Sequence, residues 1–166
     1  MVLFSEVQRF RQVWVWIPVV FLIGVSWYFF LRQIVSGKPT GTNPAPDTVI
    51  WIIWAIFGIF FPIFFLKMGM ITEIREDGIR IHFSPFYRRF IHLRDIQGFE
   101  VKEYHAFRDF GGWGVRWSSK NGMALNVSGN RGVQLKLKDG KRLLIGSQQP
   151  EHLASVLGGI LQHTRR

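Results

Sequence analysis

The side chains best suited to chemistry in this 166-residue chain are few and scattered. His82, His92, His105, His152 and His163 could supply metal ligands, but no two stand three or four residues apart, and there is no cysteine to complete a zinc set. They read as surface or strand histidines. The absence of cysteine also removes disulfides and thiolate catalysis. Asp95, Glu100, Glu103 and Asp109 come nearest to a carboxylate group for acid and base work. Glu100 and Glu103 differ by three, however, and on a strand they would face opposite sides, so solvated charge is the better reading. Asn126-Val-Ser128 matches a glycosylation acceptor, which has no consequence on a strand expected inside the cell.

Two segments invite a binding role instead. In Phe110-Gly111-Gly112-Trp113-Gly114-Val115-Arg116-Trp117, three glycines surround one tryptophan, a composition that lets the backbone bend or come close to something. Without a Gly-Lys-Ser/Thr step it is no nucleotide loop. One reading is a bulged strand with Trp113 in the core; the other is a contact loop that presents Trp113 and Arg116 to a ligand. Arg88 and Arg89, beside Tyr87 and close to Pro85, could touch phosphate head groups, although simple solvation explains them as well. No cofactor is expected.

The elements that position these residues fall into two halves. Val13 to Leu31 and Val49 to Leu66 are runs of 19 and 18 residues without a charge. At about 1.5 Å per helical residue each covers roughly the 30 Å hydrocarbon thickness of a bilayer. The predicted anchor is therefore residues 1–67, with transmembrane helices near 13–31 and 49–66. A tight loop rich in Gly and Pro joins them, and Gly24, Ser26, Ala55 and Gly58 are candidates for helix pairing. A cleaved signal peptide fits the first run poorly, because the run is long, aromatic and lacks a small-x-small end. Arg9, Arg11, Lys67, Arg75 and Arg80 flank the pair, against Arg32 and Lys38 in the loop, which places both termini in the cytoplasm. Phe4, Val7 and Phe10 stand at helical spacing and suggest an interfacial helix before the first span. Neither span holds an ionisable residue, which argues against transport or intramembrane catalysis.

Residues 68–166 form the second half, which carries most of the net charge of +10. Hydrophobic residues now alternate with polar ones, as in Ile79, Ile81, Phe83 and Val133, Leu135, Leu137. Eight strands are expected near 70–76, 79–84, 88–93, 98–104, 113–118, 123–128, 132–137 and 141–146, arranged as an antiparallel meander. Asp77-Gly78 and Asp139-Gly140 mark hairpin turns. Leu153, Val156, Leu157, Ile160 and Leu161 recur at helical spacing after Pro150 and predict one closing amphipathic helix. The half should hold a core of its own.

A strand meander closed by one C-terminal helix resembles the pleckstrin-homology-like (PH-like) fold over about residues 70–164. More narrowly, Gly111-Gly-Trp-Gly-Val-Arg116, Val127-Ser-Gly-Asn-Arg-Gly-Val-Gln134, Asp139-Gly-Lys-Arg-Leu-Leu-Ile-Gly-Ser147 and Pro150-Glu-His-Leu153 resemble bacterial two-helix membrane proteins with a PH-like domain, a family without assigned function. The resemblance implies an α+β membrane protein: a transmembrane helical hairpin, then a mostly antiparallel PH-like sandwich or barrel closed by a helix, in the bacterial inner membrane. It carries over no catalytic residue. The expected role is a non-enzymatic module binding a protein partner or a second copy, or stabilising a membrane complex. Anionic lipid head-group sensing and a small membrane enzyme are the alternatives. Scattered basic residues beside a membrane anchor make nucleic acid a poor partner.

Overall fold

The computed structural model describes residues 1–164. Its chain divides into two compact units: Phe10–Met68, and Met1–Arg9 together with the chain from Gly69 onward.

The first unit is a helical hairpin. Helix α1 (Val13–Val35) and helix α2 (Asp47–Lys67) are each long and apolar enough to cross a membrane. Both outrun the charge-free segments, because α1 continues past Arg32 in wider π-helical turns over Phe30–Val35. Aromatic rings hold the pair together: Phe30 stacks on Trp54 at 4.3 Å, and Trp27 meets Trp54 edge-on at 5.3 Å. Ser26 and Gly58 lie at this contact, where a side chain on Gly58 would meet Ser26 Oγ at 3.2 Å. Gly24 faces open space and Ala55 is exposed, so only two of the four small residues serve the pairing. The Gln33 amide closes the loop by donating to Ala45 O at 2.7 Å and Asp47 Oδ1 at 2.8 Å.

The second unit holds two sheets. Strands β1 (Val2–Arg9), β2 (Gly69–Arg75), β3 (Gly78–Ser84) and β4 (Tyr87–His92) form one sheet in that order. Strands β5 (Ile96–Glu103), β6 (Gly114–Ser118), β7 (Gly122–Asn126), β8 (Arg131–Leu137) and β9 (Arg142–Gly146) form the other, in the order β5-β8-β9-β7-β6. A short helix α3 (Ala106–Phe110) precedes β6, and helix α4 (Pro150–Thr164) follows β9. Leu153, Leu157 and Leu161 bury the inner face of α4, while Val156 and Ile160 are only half-buried. The sheets remain separate, and no closed barrel forms among the described residues.

Three expectations need correction. The segment read as an interfacial helix within a 1–67 anchor is instead β1, an antiparallel partner of β2, with Arg9 paired to Gly69. Its buried positions are Phe4, Glu6 and Gln8, so period two wins over the helical spacing of Phe4, Val7 and Phe10. The helical unit is thus an insertion between two neighbouring strands. Second, the meander holds only in the first sheet. In the second, β8 and β9 carry Val133, Leu135, Leu143, Leu144 and Ile145, all essentially inaccessible. Strands so apolar belong at a sheet centre, and β9 accordingly pairs with β8 on one side and, in parallel, with β7 on the other. Third, Gly78 does not supply a positive φ. It opens β3 at a close approach, where a Cβ would run into the Ile91 carbonyl and the Phe90 ring.

Glu6 joins the layers. Its carboxylate is buried and accepts from Ser147 Oγ at 2.5 Å and from the Gln148 N–H at 2.7 Å, at the junction of β9 and α4. Beside it the Gln8 amide donates to Gly146 O at 2.8 Å. Glu6→Ala would leave a buried hydroxyl and a backbone N–H without their charged acceptor, so it should cost about 2–4 kcal/mol. Calorimetry of the detergent-solubilised protein checks this, and an unchanged melt would remove Glu6 from the fold's supports. Because Arg9 pairs with Gly69, a two-residue Asn-Gly turn can replace residues 10–68. That chimaera should be soluble and melt cooperatively, while residues 68–166 alone, lacking β1 and Glu6, should melt lower or aggregate.

Candidate functional site

The glycine-rich segment forms the corner between α3 and β6. Helix α3 starts where Asp109 Oδ2 accepts the His105 N–H at 2.8 Å. That bond, with the Arg108 guanidinium beside it, holds the Asp109 carboxyl below its ordinary range. The helix stops at Gly111, whose φ of +75° is left-handed, followed by Gly112 at +130° and Gly114 at +109°. All three glycines are therefore required by the backbone itself. Gly111 N–H donates to Phe107 O at 2.9 Å and Gly112 N–H to Ala106 O at 2.8 Å. The buried Asn126 side chain fixes the far side of the turn, its Oδ1 accepting the Gly114 N–H at 3.0 Å.

This geometry divides the candidate residues. Phe110 is core, clustered with Tyr104, Ala106, Ala124 and Leu144, and Trp113 packs partly buried against that cluster. The Trp113 ring also meets Phe107 edge-on at 4.8 Å. Arg116 is exposed and folds back, its Nε donating to Trp113 O at 3.0 Å beside Gly112. What the corner offers to solvent is Phe107, 59% exposed, together with Val115 and Arg116. Strand β6 is also the last strand of its sheet, so among the described residues one of its backbone edges has no strand partner.

As neighbours on a strand, Arg88 and Arg89 point to opposite faces. Arg88 is exposed on the outer face of the first sheet, where its Nε donates to His82 Nε2 at 3.1 Å. It lines a shallow basin of about 720 Å³ with Arg75, Arg80, Glu73 and also Arg89. Glu73 is held there by Arg75 at 2.7 Å. Arg89 turns the other way and donates to Met123 Sδ at 3.1 Å, which links β4 to β7 of the second sheet. In the sequence Asn126 stands out only as a glycosylation acceptor, and nothing there singles out Tyr104, Glu6 or Gln8. A polar residue interrupting an apolar alternation is the signal that could have marked the last two.

Burial pushes the Tyr104 hydroxyl above its ordinary pKa, and the polar Asn126 side chain beside it offsets this in part, although the phenol oxygen makes no hydrogen bond of normal geometry. The folded state thus favours the neutral phenol. Its contribution is complete below the unfolded phenol value of about 10 and is lost as pH rises through the higher folded value. Tyr104→Phe should flatten the alkaline fall in melting temperature above about pH 10. An equally steep fall in the variant would assign the alkaline transition to other groups.

The sequence profile of a family of unknown function (DUF6141) matches residues 1–161, across both helices and nearly all of the β unit. Among curated proteins, no sequence matches the chain. With the match running through both units, the chain belongs to the DUF6141 family.

Proposed function

We propose that the chain is a non-enzymatic, membrane-anchored interaction module with a PH-like domain, held in a bacterial inner membrane with both termini cytoplasmic. The observation that carries the interaction role is the exposed corner of α3 and β6. There Phe107, Val115 and Arg116 stand on a rigid, glycine-shaped turn next to an unpaired strand edge. Aromatic and arginine side chains supply most binding hot spots, and an open edge accepts an extended partner segment. A protein is therefore the favoured partner. Two sheets with a C-terminal helix support the PH-like reading, while nine strands and a parallel β7–β9 pair depart from its simple meander. Two apolar helices whose charged residues, Arg32, Asp47 and Lys67, stand in their end turns, joined to the β unit by Phe10, Arg11 and Gln12 on one side and Met68 on the other, support a short tether.

Topology is tested in intact cells with the cysteine-free chain as background. A cysteine at Thr42 should react with a membrane-impermeant thiol reagent and one at Asp139 should not. The reverse pattern would overturn the orientation.

Partner binding is tested with a photocrosslinking residue at Val115. It should give an adduct with one protein species, lost in Arg116→Ala with the melt unchanged. By contrast Trp113→Ala, which removes a ring packed on the core, should cost about 2–3 kcal/mol, somewhat less than a fully buried aromatic. No adduct at Val115, or one that survives Arg116→Ala, would move the contact elsewhere.

A further inference from the structure

The β unit has one end that differs from the rest of its surface. Register places Arg9 opposite Gly69 and Gly69 opposite Ser84, so the strand ends where the chain departs for α1 and returns from α2 lie beside the β3–β4 turn. That turn carries Phe86, 74% exposed. Just beyond it, Tyr87 Oη and the Arg89 guanidinium both reach Met123 Sδ, at 3.5 and 3.1 Å, which brings the start of β7 to the same end. Ser118 pairs with Gly122, and β9 starts alongside β7, so the loops 119–121 and 138–141 gather there too. Together they enclose a shallow cavity of about 320 Å³ lined by Arg89, Trp117, Lys120, Lys141 and Arg142. Trp117 is 74% exposed.

Four cations line this cavity, and no carboxylate is among its lining residues. Asp139 bonds Lys141 at 2.8 Å, and its carboxyl is held below its ordinary range by Lys141 and, more weakly, by the charge of Arg89. Large exposed aromatics beside an excess of cations are poorly suited to water. They suit the boundary between lipid head groups and acyl chains, where an indole ring and basic side chains are both favourable.

We propose that this rim, with Phe86 and Trp117 as the inserted rings and Arg89, Lys120, Lys141 and Arg142 as the head-group contacts, docks the β unit on an anionic membrane surface. The proposal rests on reading α1 and α2 as membrane spans. With three residues before the first and one after the second, the rim belongs to the end of the β unit nearest the bilayer along the chain. The charge complementarity selects an anionic lipid surface over a neutral one. The α3 side of the corner, with Phe107, lies beyond the other end of β6.

The test uses the full chain in nanodiscs, with single cysteines introduced into the cysteine-free background and spin-labelled. The positions are Ser119 in the rim, Ser155 on exposed α4, and Phe21 within α1. Accessibility to oxygen, which concentrates in lipid, is compared with accessibility to a water-soluble relaxant. In discs of phosphatidylglycerol the Ser119 label should read as interfacial and the Ser155 label as aqueous. In phosphatidylcholine the Ser119 label should become mostly aqueous. Each of Lys120→Ala and Lys141→Ala should lower the docking equilibrium roughly fivefold in phosphatidylglycerol, with Ser155 unaffected. If Ser119 reads as aqueous in both lipids while Phe21 reads as lipid, the rim proposal fails and the anchor stands. If Phe21 also reads as aqueous, the anchor reading fails as well. Equal Ser119 insertion in both lipids would overturn the charge-selective docking.

Discussion

Glu6 is a charged residue taken out of water, and such a group is costly to bury unless its partners are in place. Here the partners are Ser147 and the backbone of Gln148, 141 and 142 residues later in the chain. Gln149 continues the arrangement, its N–H donating to Ser147 Oγ at 3.0 Å ahead of α4. One carboxylate therefore fixes the first strand of one sheet, the end of the central strand of the other, and the start of the closing helix. Bonds of this kind do not slide, so they set the register of β1 in a way that apolar contacts alone would leave loose.

The consequence reaches the helical unit through topology. Strand β1 precedes α1 and β2 follows α2, yet the two strands pair along their length. A chain that closes this sheet must bring both ends of the hairpin to adjacent positions, Arg9 and Gly69. The hairpin is consequently not a leader attached to a finished domain. Formation of the first sheet depends on residues separated by the whole helical unit, and loop closure over that distance is compensated by the β1–β2 ladder and the Glu6 contacts.

What was legible in the sequence follows the physics of burial. Strands β3 and β8 were visible because Ile79, Ile81, Phe83 and Val133, Leu135, Leu137 alternate with other residues, and α4 because Leu153, Leu157 and Leu161 repeat every four residues. Strand β1 was hidden because two of its inward positions, Glu6 and Gln8, are polar and become favourable only through partners far along the chain. No local pattern reports those partners. Strand order was hidden for a related reason: hairpin signals at Asp139-Gly140 predict which strands follow one another, whereas the central place of β9 is decided by how apolar Leu143, Leu144 and Ile145 are relative to their competitors.

The glycine-rich corner shows how composition and role can separate. Glycine, tryptophan and arginine together suggest a contact loop, and the segment is indeed a tight turn, but the turn serves first to end α3 and to start β6. Phe110 and part of Trp113 go inward because α3 must cover Tyr104 and Leu144. The outward side chains are then those that this packing leaves over, Phe107, Val115 and Arg116. Arg116 is held against Trp113 O rather than left to wander, so less conformational entropy is lost when it meets a partner. The interior that uses up half of the segment is thus what makes the other half a fixed surface.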